Sequence, residues 1–193
     1  MIFRHNDPES LAAILRRMRG SSERAMVVVE GAYSMDGDIV ALPEVLSVAR
    51  EFDCLVSGRG AFLRHRGEHG WGVREHYGLP GDAVDVWMGT LSKSLASCGG
   101  FLAGNGDLMW ALRSLGPGVG LFTAPPTPAQ IAASIAAFEV LRAEPQRVGR
   151  LRANAAHALA VAREAGRDTG TSAGTPIVPL IIGDTIANIE LST

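Results

Sequence analysis

The sequence predicts an α/β fold, a mostly parallel sheet with flanking helices. Three observations carry this expectation. Short apolar runs alternate along the chain with segments of helical periodicity. Glycine is frequent, at 23 residues, and aromatics make up only 6%, which suits a fold with many close turns. The chain has 193 residues, 47% hydrophobic and 20% charged. That composition disfavours wholesale disorder, and a core of this size buries about 70% of the unfolded surface.

Taken in order, Asp7 or Ser10 is placed to cap a helix through Leu11, Ile14, Leu15 and Met18 that stops at Gly20. Ala25–Glu30 is a short apolar run with three β-branched valines and reads as a buried parallel strand. Gly31–Ile39 is a polar loop. Pro43 then opens a helix with Val45, Leu46, Val48 and Ala49 on one face, and Cys54-Leu55-Val56 begins the next strand. This strand–helix–strand unit calls for a right-handed crossover. Val84–Met88 and Gly99–Gly104 read as strands and Leu108–Leu115 as a helix. Gly116–Pro128 is a Gly/Pro loop. Ala129–Ala143 and Gln146–Ala165 are long Ala-rich helices parted near Pro145, a stripe read as helix core or subunit surface. Thr175–Ile182 reads as a late strand.

Charge and cysteine usage narrow the function classes. Eighteen basic and 20 acidic side chains give a net charge of −2, so no basic excess points to nucleic acid or an anionic membrane. Cys54 and Cys98 form neither a disulfide framework nor a metal-ligand spacing, and Cys98 reads as a small packed residue. No run approaches the roughly 20 apolar residues that span a bilayer, and the N-terminus has no apolar signal core. A reduced, cytoplasmic setting is expected. His5, His65, His69, His76 and His157 are scattered without zinc spacing, so no metal site is expected.

Lys93 is the first candidate for chemistry. It follows an apolar strand and a Gly-Thr turn, among the small residues Ser92, Ser94, Ala96, Ser97, Gly99 and Gly100. A lysine in a tight, partly desolvated pocket has a lowered pKa and attacks carbonyls to form a Schiff base. Thr90 and Ser92 offer hydroxyls on the same turn, suited to a phosphate. Against this stands the ordinary reading of a solvated loop lysine. Glu30, at the end of its strand, is placed either to approach a substrate amine or to cap the following loop.

The segment Glu30-Gly31-Ala32-Tyr33-Ser34-Met35-Asp36-Gly37-Asp38 resembles the EGVYSMDGD segment of the α-oxoamine synthases. Thr90-Leu91-Ser92-Lys93-Ser94-Leu95-Ala96-Ser97-Cys98-Gly99-Gly100 resembles that family's TLSKSLxSxGG segment. Asn6-Asp7, Leu42-Pro43-Glu44 and Thr175-Pro176-Ile177-Val178-Pro179 also occur in the family's order. These pyridoxal-phosphate (PLP) enzymes, of aminotransferase class I/II, include 8-amino-7-oxononanoate synthase, 5-aminolevulinate synthase, 2-amino-3-ketobutyrate CoA ligase and serine palmitoyltransferase. The resemblance implies part of a fold-type-I large domain over residues 1–128, connecting long helices over 129–170, and the start of a small C-terminal domain over 171–193. It implies that Lys93 binds the PLP aldehyde, Thr90 binds the cofactor phosphate, Ser34 lies near the cofactor, and Thr123 reaches the phosphate of a neighbouring subunit in a dimer. For Ser34 and Thr123 plain turn hydrogen bonding is the competing reading. The reaction implied is a decarboxylative condensation of a small amino acid with an acyl thioester to an amino ketone, with the cofactor ring as electron sink and Lys93 as proton acceptor. An aminotransferase would share the fold, but the SMDGD and LSKSLASCGG segments argue against one.

The sequence departs from the family in one place. Where members read VDEAHSxGxxG, with an Asp for the pyridinium nitrogen and a His for the ring, this chain reads Ser57-Gly58-Arg59-Gly60-Ala61-Phe62-Leu63-Arg64-His65-Arg66-Gly67. Gly58 replaces the Asp and Ala61 the His. Arg59, Arg64 and Arg66 are odd neighbours for a buried strand end, where unpaired charge is costly. By resemblance the family's chains are also roughly twice this length. The chain is therefore expected to be truncated at both ends, without the Gly-rich phosphate turn, the ring that stacks on the cofactor, and the Arg that grips the substrate carboxylate. Weak PLP binding and no synthase activity alone are the expectation. A degenerate subunit that pairs with an active homologue is the non-enzymatic alternative.

Codon arithmetic gives the departure a cause. Gly58–Gly67 can be encoded GGA CGA GGC GCA TTC CTT CGG CAT CGT GGG. Skipping the first base gives GAC GAG GCG CAT TCC TTC GGC ATC GTG GG, which spells Asp-Glu-Ala-His-Ser-Phe-Gly-Ile-Val and then Gly. Ser57 as AGT supplies the preceding Val. A local frame slip, with a base gained near Ser57 and one lost near Gly67, accounts for the segment; divergence into a catalytically dead paralogue is the alternative. Sequencing the gene with its flanks is expected to return such a string. A confirmed frame with other codons removes the explanation.

Overall fold

The computed structural model describes residues 1–59, 70–116, 118–120, 122–173 and 175–192. Helix α1 spans Pro8–Met18; the Asp7 carboxylate caps it by accepting from the Ser10 amide at 2.8 Å, and Pro8 occupies the first turn, where its missing N–H costs nothing. Strand β1 spans Met26–Glu30, α2 Leu42–Glu51 and β2 Leu55–Arg59. After the short helix α3, Val73–His76, come β3, Val86–Thr90, and β4, Gly100–Gly104. Helices α4, Gly106–Leu115, α5, Pro128–Ala143, α6, Gln146–Glu164, and α7, Thr185–Ser192, complete the chain.

The sheet order is β1-β2-β3-β4. β1, β2 and β3 run parallel, in the register Glu30↔Arg59↔Met88, and β4 returns antiparallel to β3. Gly89 and Gly100 permit that return. A Cβ at Gly89 would collide with the Phe101 ring, and one at Gly100 would lie 2.9 Å from the Gly89 carbonyl oxygen.

One face of the sheet is covered. Leu11 and Leu15 of α1 and Leu42, Val45, Leu46 and Ala49 of α2 pack with Val27, Val29, Val56 and Trp87 into a single core cluster. Arg19 fastens the two helices at their ends, its guanidinium donating to the carbonyls of Phe52 at 2.7 Å and Asp53 at 3.1 Å. The opposite face is open at β1 and β2 among the described residues, with Val28 59%, Met26 48% and Leu55 37% exposed, while Val86 of β3 on that face is buried. The expected buried strand at 25–30 is thus half-buried and alternates along its length. An apolar run signals burial on both faces only where both faces have cover.

A second correction concerns Thr175–Ile182, which forms no strand. Pro176 and Pro179 remove two backbone donors. The flanking amides bond to loops instead, Ala173 to the Gly37 carbonyl at 3.3 Å and Ile181 to the Asp168 carbonyl at 2.9 Å. The long helices differ in packing. α6 buries Val148, Ala155 and Leu159, whereas α5 buries only Ser134 and exposes Ile135 and Phe138. No helix among the described residues is long and apolar enough to cross a membrane.

Leu46→Ala is expected to destabilise the fold by about 2–5 kcal/mol, since it leaves a cavity between α2 and the sheet. The same change at the exposed Val28 should cost well under 1 kcal/mol. Denaturant titration of the two variants checks the contrast.

Candidate functional site

In a parallel sheet the loops leaving the carboxyl ends of neighbouring strands gather on one edge, where α/β folds place their ligands. Here that edge carries the Gly31–Val40 loop after β1, the Gly58-Arg59 end of β2, and the turn after Thr90 that ends β3. The Ser34 loop and the Lys93 turn therefore flank the end of β2. They lie two strand spacings, about 10 Å, apart in the hydrogen-bonding direction.

The Lys93 turn has a fixed backbone and an open face. Leu91 and Leu95 are buried and anchor it. The Leu91 amide donates to the Gly99 carbonyl and the Ser97 amide to the Leu91 carbonyl, both at 2.9 Å. Just after Leu95 the Ala96 amide donates to the Lys93 carbonyl at 3.0 Å, and Ala96 takes a left-handed φ of 49° to close the corner. Ser92, Lys93 and Ser94 are exposed at that corner. The expected desolvated lysine pocket is absent from the described residues, because the anchoring leucines point inward and leave the intervening side chains outside. Cys98 is likewise exposed, not packed.

The two hydroxyls of this turn lie together. Thr90 Oγ1 and Ser92 Oγ lie 2.7 Å apart, and the Ser92 amide donates to Thr90 Oγ1 at 3.2 Å. Ser97 Oγ donates to the Gln130 carbonyl at 2.8 Å, which ties the turn to the start of α5. Just upstream, Pro126 packs on Gly99, whose φ is +101°. Thr123 lies in the exposed stretch between Phe122 and Pro126.

Ser34 is exposed in a loop whose base is closely tied. The Tyr33 amide donates to the Asp38 carbonyl at 3.0 Å and the Gly37 amide to the Tyr33 carbonyl at 2.9 Å. His5, for which the sequence offered no site role, and Asn6 grip this loop. His5 Nε2 is 3.0 Å from Asp38 Oδ2, Asn6 Nδ2 donates to the same oxygen at 2.9 Å, and the His5 ring packs edge-on against Tyr33 at 4.3 Å. His5, Asp36 and Asp38 offer ligand atoms within 4.8 Å of one another. The Asp38 carboxylate is already engaged by His5 and Asn6, so the cluster works as a clamp. No sequence spacing signals it, because its halves are more than 30 residues apart.

At the end of β2, Gly58 is buried, and a Cβ there would lie 3.2 Å from the Trp87 ring. Arg59 is less anomalous than the sequence implies. Its side chain is 62% exposed and pairs with Glu30 at 3.7 Å, which gives Glu30 a partner across the strands. Ala61, Arg64, His65, Arg66 and His69 lie outside the described residues.

Residues 2–192 match the family described as aminotransferase class I and II. The chain belongs to that family, in its α-oxoamine synthase group. It is 40% identical to the serine palmitoyltransferase of Sphingobacterium spiritivorum over 93% of this chain and 44% of that protein. It is 36% identical to the 8-amino-7-oxononanoate synthase of Symbiobacterium thermophilum over 98% of this chain and 48% of that protein. Among solved structures, a serine palmitoyltransferase from S. paucimobilis with bound PLP–myriocin aldimine superposes with a TM-score of 0.82 at 31% identity, covering 95% of this chain and 47% of that one. The Sphingomonas wittichii serine palmitoyltransferase gives 0.80 at 30% identity, over 91% and 43%. The chain thus spans about half the length of the curated relatives it matches.

Tyr33 sits beside Asp38 and Glu30. Burial, and then those two negative charges, push its phenol up to about 12 from 10.0. A group bound more tightly to its proton in the folded state stabilises the fold below the unfolded pKa. That contribution is lost as pH rises from 10 through about 12. Ultraviolet difference titration is expected to show a late phenolate component that Tyr33→Phe removes.

Proposed function

We propose that the chain is part of a PLP-dependent acyl-CoA:amino-acid C-acyltransferase of the α-oxoamine synthase kind, with residues 1–128 in the cofactor-binding domain, 129–170 as connecting helices and 171–193 opening the small domain. The observation that carries this is the Thr90–Ser92–Lys93 turn, set on the carboxyl edge of the sheet beside the Ser34 loop. Family membership supports it.

The residues fit two ends of the cofactor and fail at the third. Thr90 and Ser92 present adjacent hydroxyls to an anion, as a phosphate needs, and the exposed Lys93 amine is free to meet an aldehyde. Ser34 stands across the β2 end from them, and Thr123 is assigned to the phosphate of a neighbouring copy in a dimer. At the ring nitrogen an acidic partner is required, and Gly58 supplies none. PLP, when bound, supplies an electron sink for charge developing on an amino-acid carbon. The chain's own part is to hold the phosphate with hydroxyls, to bind the aldehyde through Lys93 Nζ, and to receive a proton on that nitrogen. Without a carboxylate at position 58 it cannot keep a proton on the ring nitrogen. Binding is therefore weak, and the chain alone lacks synthase activity. An acyl thioester and a small amino acid are the substrates assigned to the whole enzyme. The lost carboxylate favours a second reading, an inactive subunit paired with a full-length homologue, for which co-purification is the test.

Borohydride reduction of the protein with PLP is expected to leave a pyridoxyl group on Lys93, located by peptide mass spectrometry and absent from Lys93→Ala. A chain with the frame of residues 57–66 restored should bind PLP about tenfold more tightly or better, from a charge-assisted hydrogen bond of roughly 1.5–3 kcal/mol. Labelling that persists in Lys93→Ala would overturn the assignment.

A further inference from the structure

The loop that carries Ser34 is held from a second side by a segment far along the chain. Thr175 is fully buried, and its hydroxyl donates to the Gly37 carbonyl at 2.7 Å across 138 residues of sequence. The Ala173 amide donates to the same carbonyl. Gly37 has a φ of +73°, and a Cβ there would collide with the Ile177 carbonyl oxygen and lie 2.9 Å from Ser172 Oγ. Ser172 is buried, and its hydroxyl donates to the Ile177 carbonyl at 2.9 Å. Arg163 near the end of α6 donates to the Ser172 carbonyl at 2.9 Å and to Thr169 Oγ1 at 3.2 Å. A continuous chain of contacts thus runs from α6 through the 169–177 segment to the turn at Gly37, three residues after Ser34.

We propose that Thr175 and Ser172 are positioning residues. With Gly37 they form a latch by which the 169–177 segment holds the Ser34 turn at the carboxyl edge of the sheet. The inference rests on reading that edge as the cofactor site. Its consequence is coupling: a displacement of the segment carried by α6 loosens the turn, and a ligand held beside Ser34 resists that displacement.

Amide exchange on the purified chain, with PLP trapping in parallel, tests this. In Thr175→Val, exchange at the Tyr33 and Gly37 amides is expected to rise about tenfold, the effect of one lost buried hydrogen bond, with protection of the β1–β2 amides unchanged. Apparent PLP affinity should fall by a similar factor, and Thr175→Ser should restore both. If Thr175→Val does not fold, Ser172→Ala is expected to give the same pattern at several-fold. Unchanged exchange at Tyr33 and Gly37, a serine variant that behaves as the valine one, or a loosened turn with unaltered PLP affinity overturns the proposal. If no variant, nor the parent chain, takes up PLP, the cofactor assignment fails while faster exchange still identifies the latch.

Discussion

The Ser34 loop at the sheet's carboxyl edge depends on the left-handed glycine at position 37. Its φ of +73° turns its carbonyl toward Thr175 and Ala173 while its own amide closes on Tyr33. Any side chain there would meet the Ile177 carbonyl. Backbone groups in a buried loop need partners. The Gly31–Val40 loop finds them in Asn6, which donates to the Ile39 carbonyl at 2.8 Å, in Tyr77, whose hydroxyl donates to the Val40 carbonyl at 2.9 Å, and in Thr175. Three remote segments thus converge on one loop, and that convergence gives an exposed serine a defined place.

The parallel topology does the rest of the positioning. β1, β2 and β3 enter the edge in register, so the loop with Ser34, the strand end at Gly58 and the turn after Thr90 leave the same edge of the sheet without any local sequence relation. At the Lys93 turn Leu91 and Leu95 fix the backbone, and Ser92, Lys93 and Ser94 between them stay outside. Such a turn presents an amine at a set place without itself desolvating it. Cover from elsewhere is required to complete a reactive lysine site.

The α/β class and most of the longer elements could be read from local chemistry, whereas the short helices α3 and α7 were not and β3 lies two residues later than its apolar run. Asp7 and Pro43 mark helix starts because their physics acts within one turn, and the Thr127–Gln130 capping box that opens α5 is a local signal the sequence reading passed over. What escaped the sequence depends on distant partners. Val28 is as apolar as Val27 and Val29, and only the covering helices decide which of them is buried. Thr175–Ile182 has strand composition but no neighbouring strand among the described residues. The hydroxyls of Thr90 and Ser92 were legible because they share a turn, and the motif containing Lys93 stood out by resemblance. The environment of Lys93, the exposure of Cys98 and the His5–Asp38 clamp were not legible, since each depends on packing across the fold.

Position 58 shows how closely fold and chemistry are joined here. Trp87 is buried, and its indole N–H donates to the Gly81 carbonyl at 2.7 Å, so one edge of the ring is fixed. The other edge lies 3.2 Å from where a Cβ on Gly58 would sit. A side chain at 58 therefore requires the indole to yield by a few tenths of an ångström. Gly58 thus leaves the β2 pairing and the core intact, since the ladder to β1 and β3 is made by backbone alone. A glycine at position 58 is compatible with the family's architecture, which the chain retains.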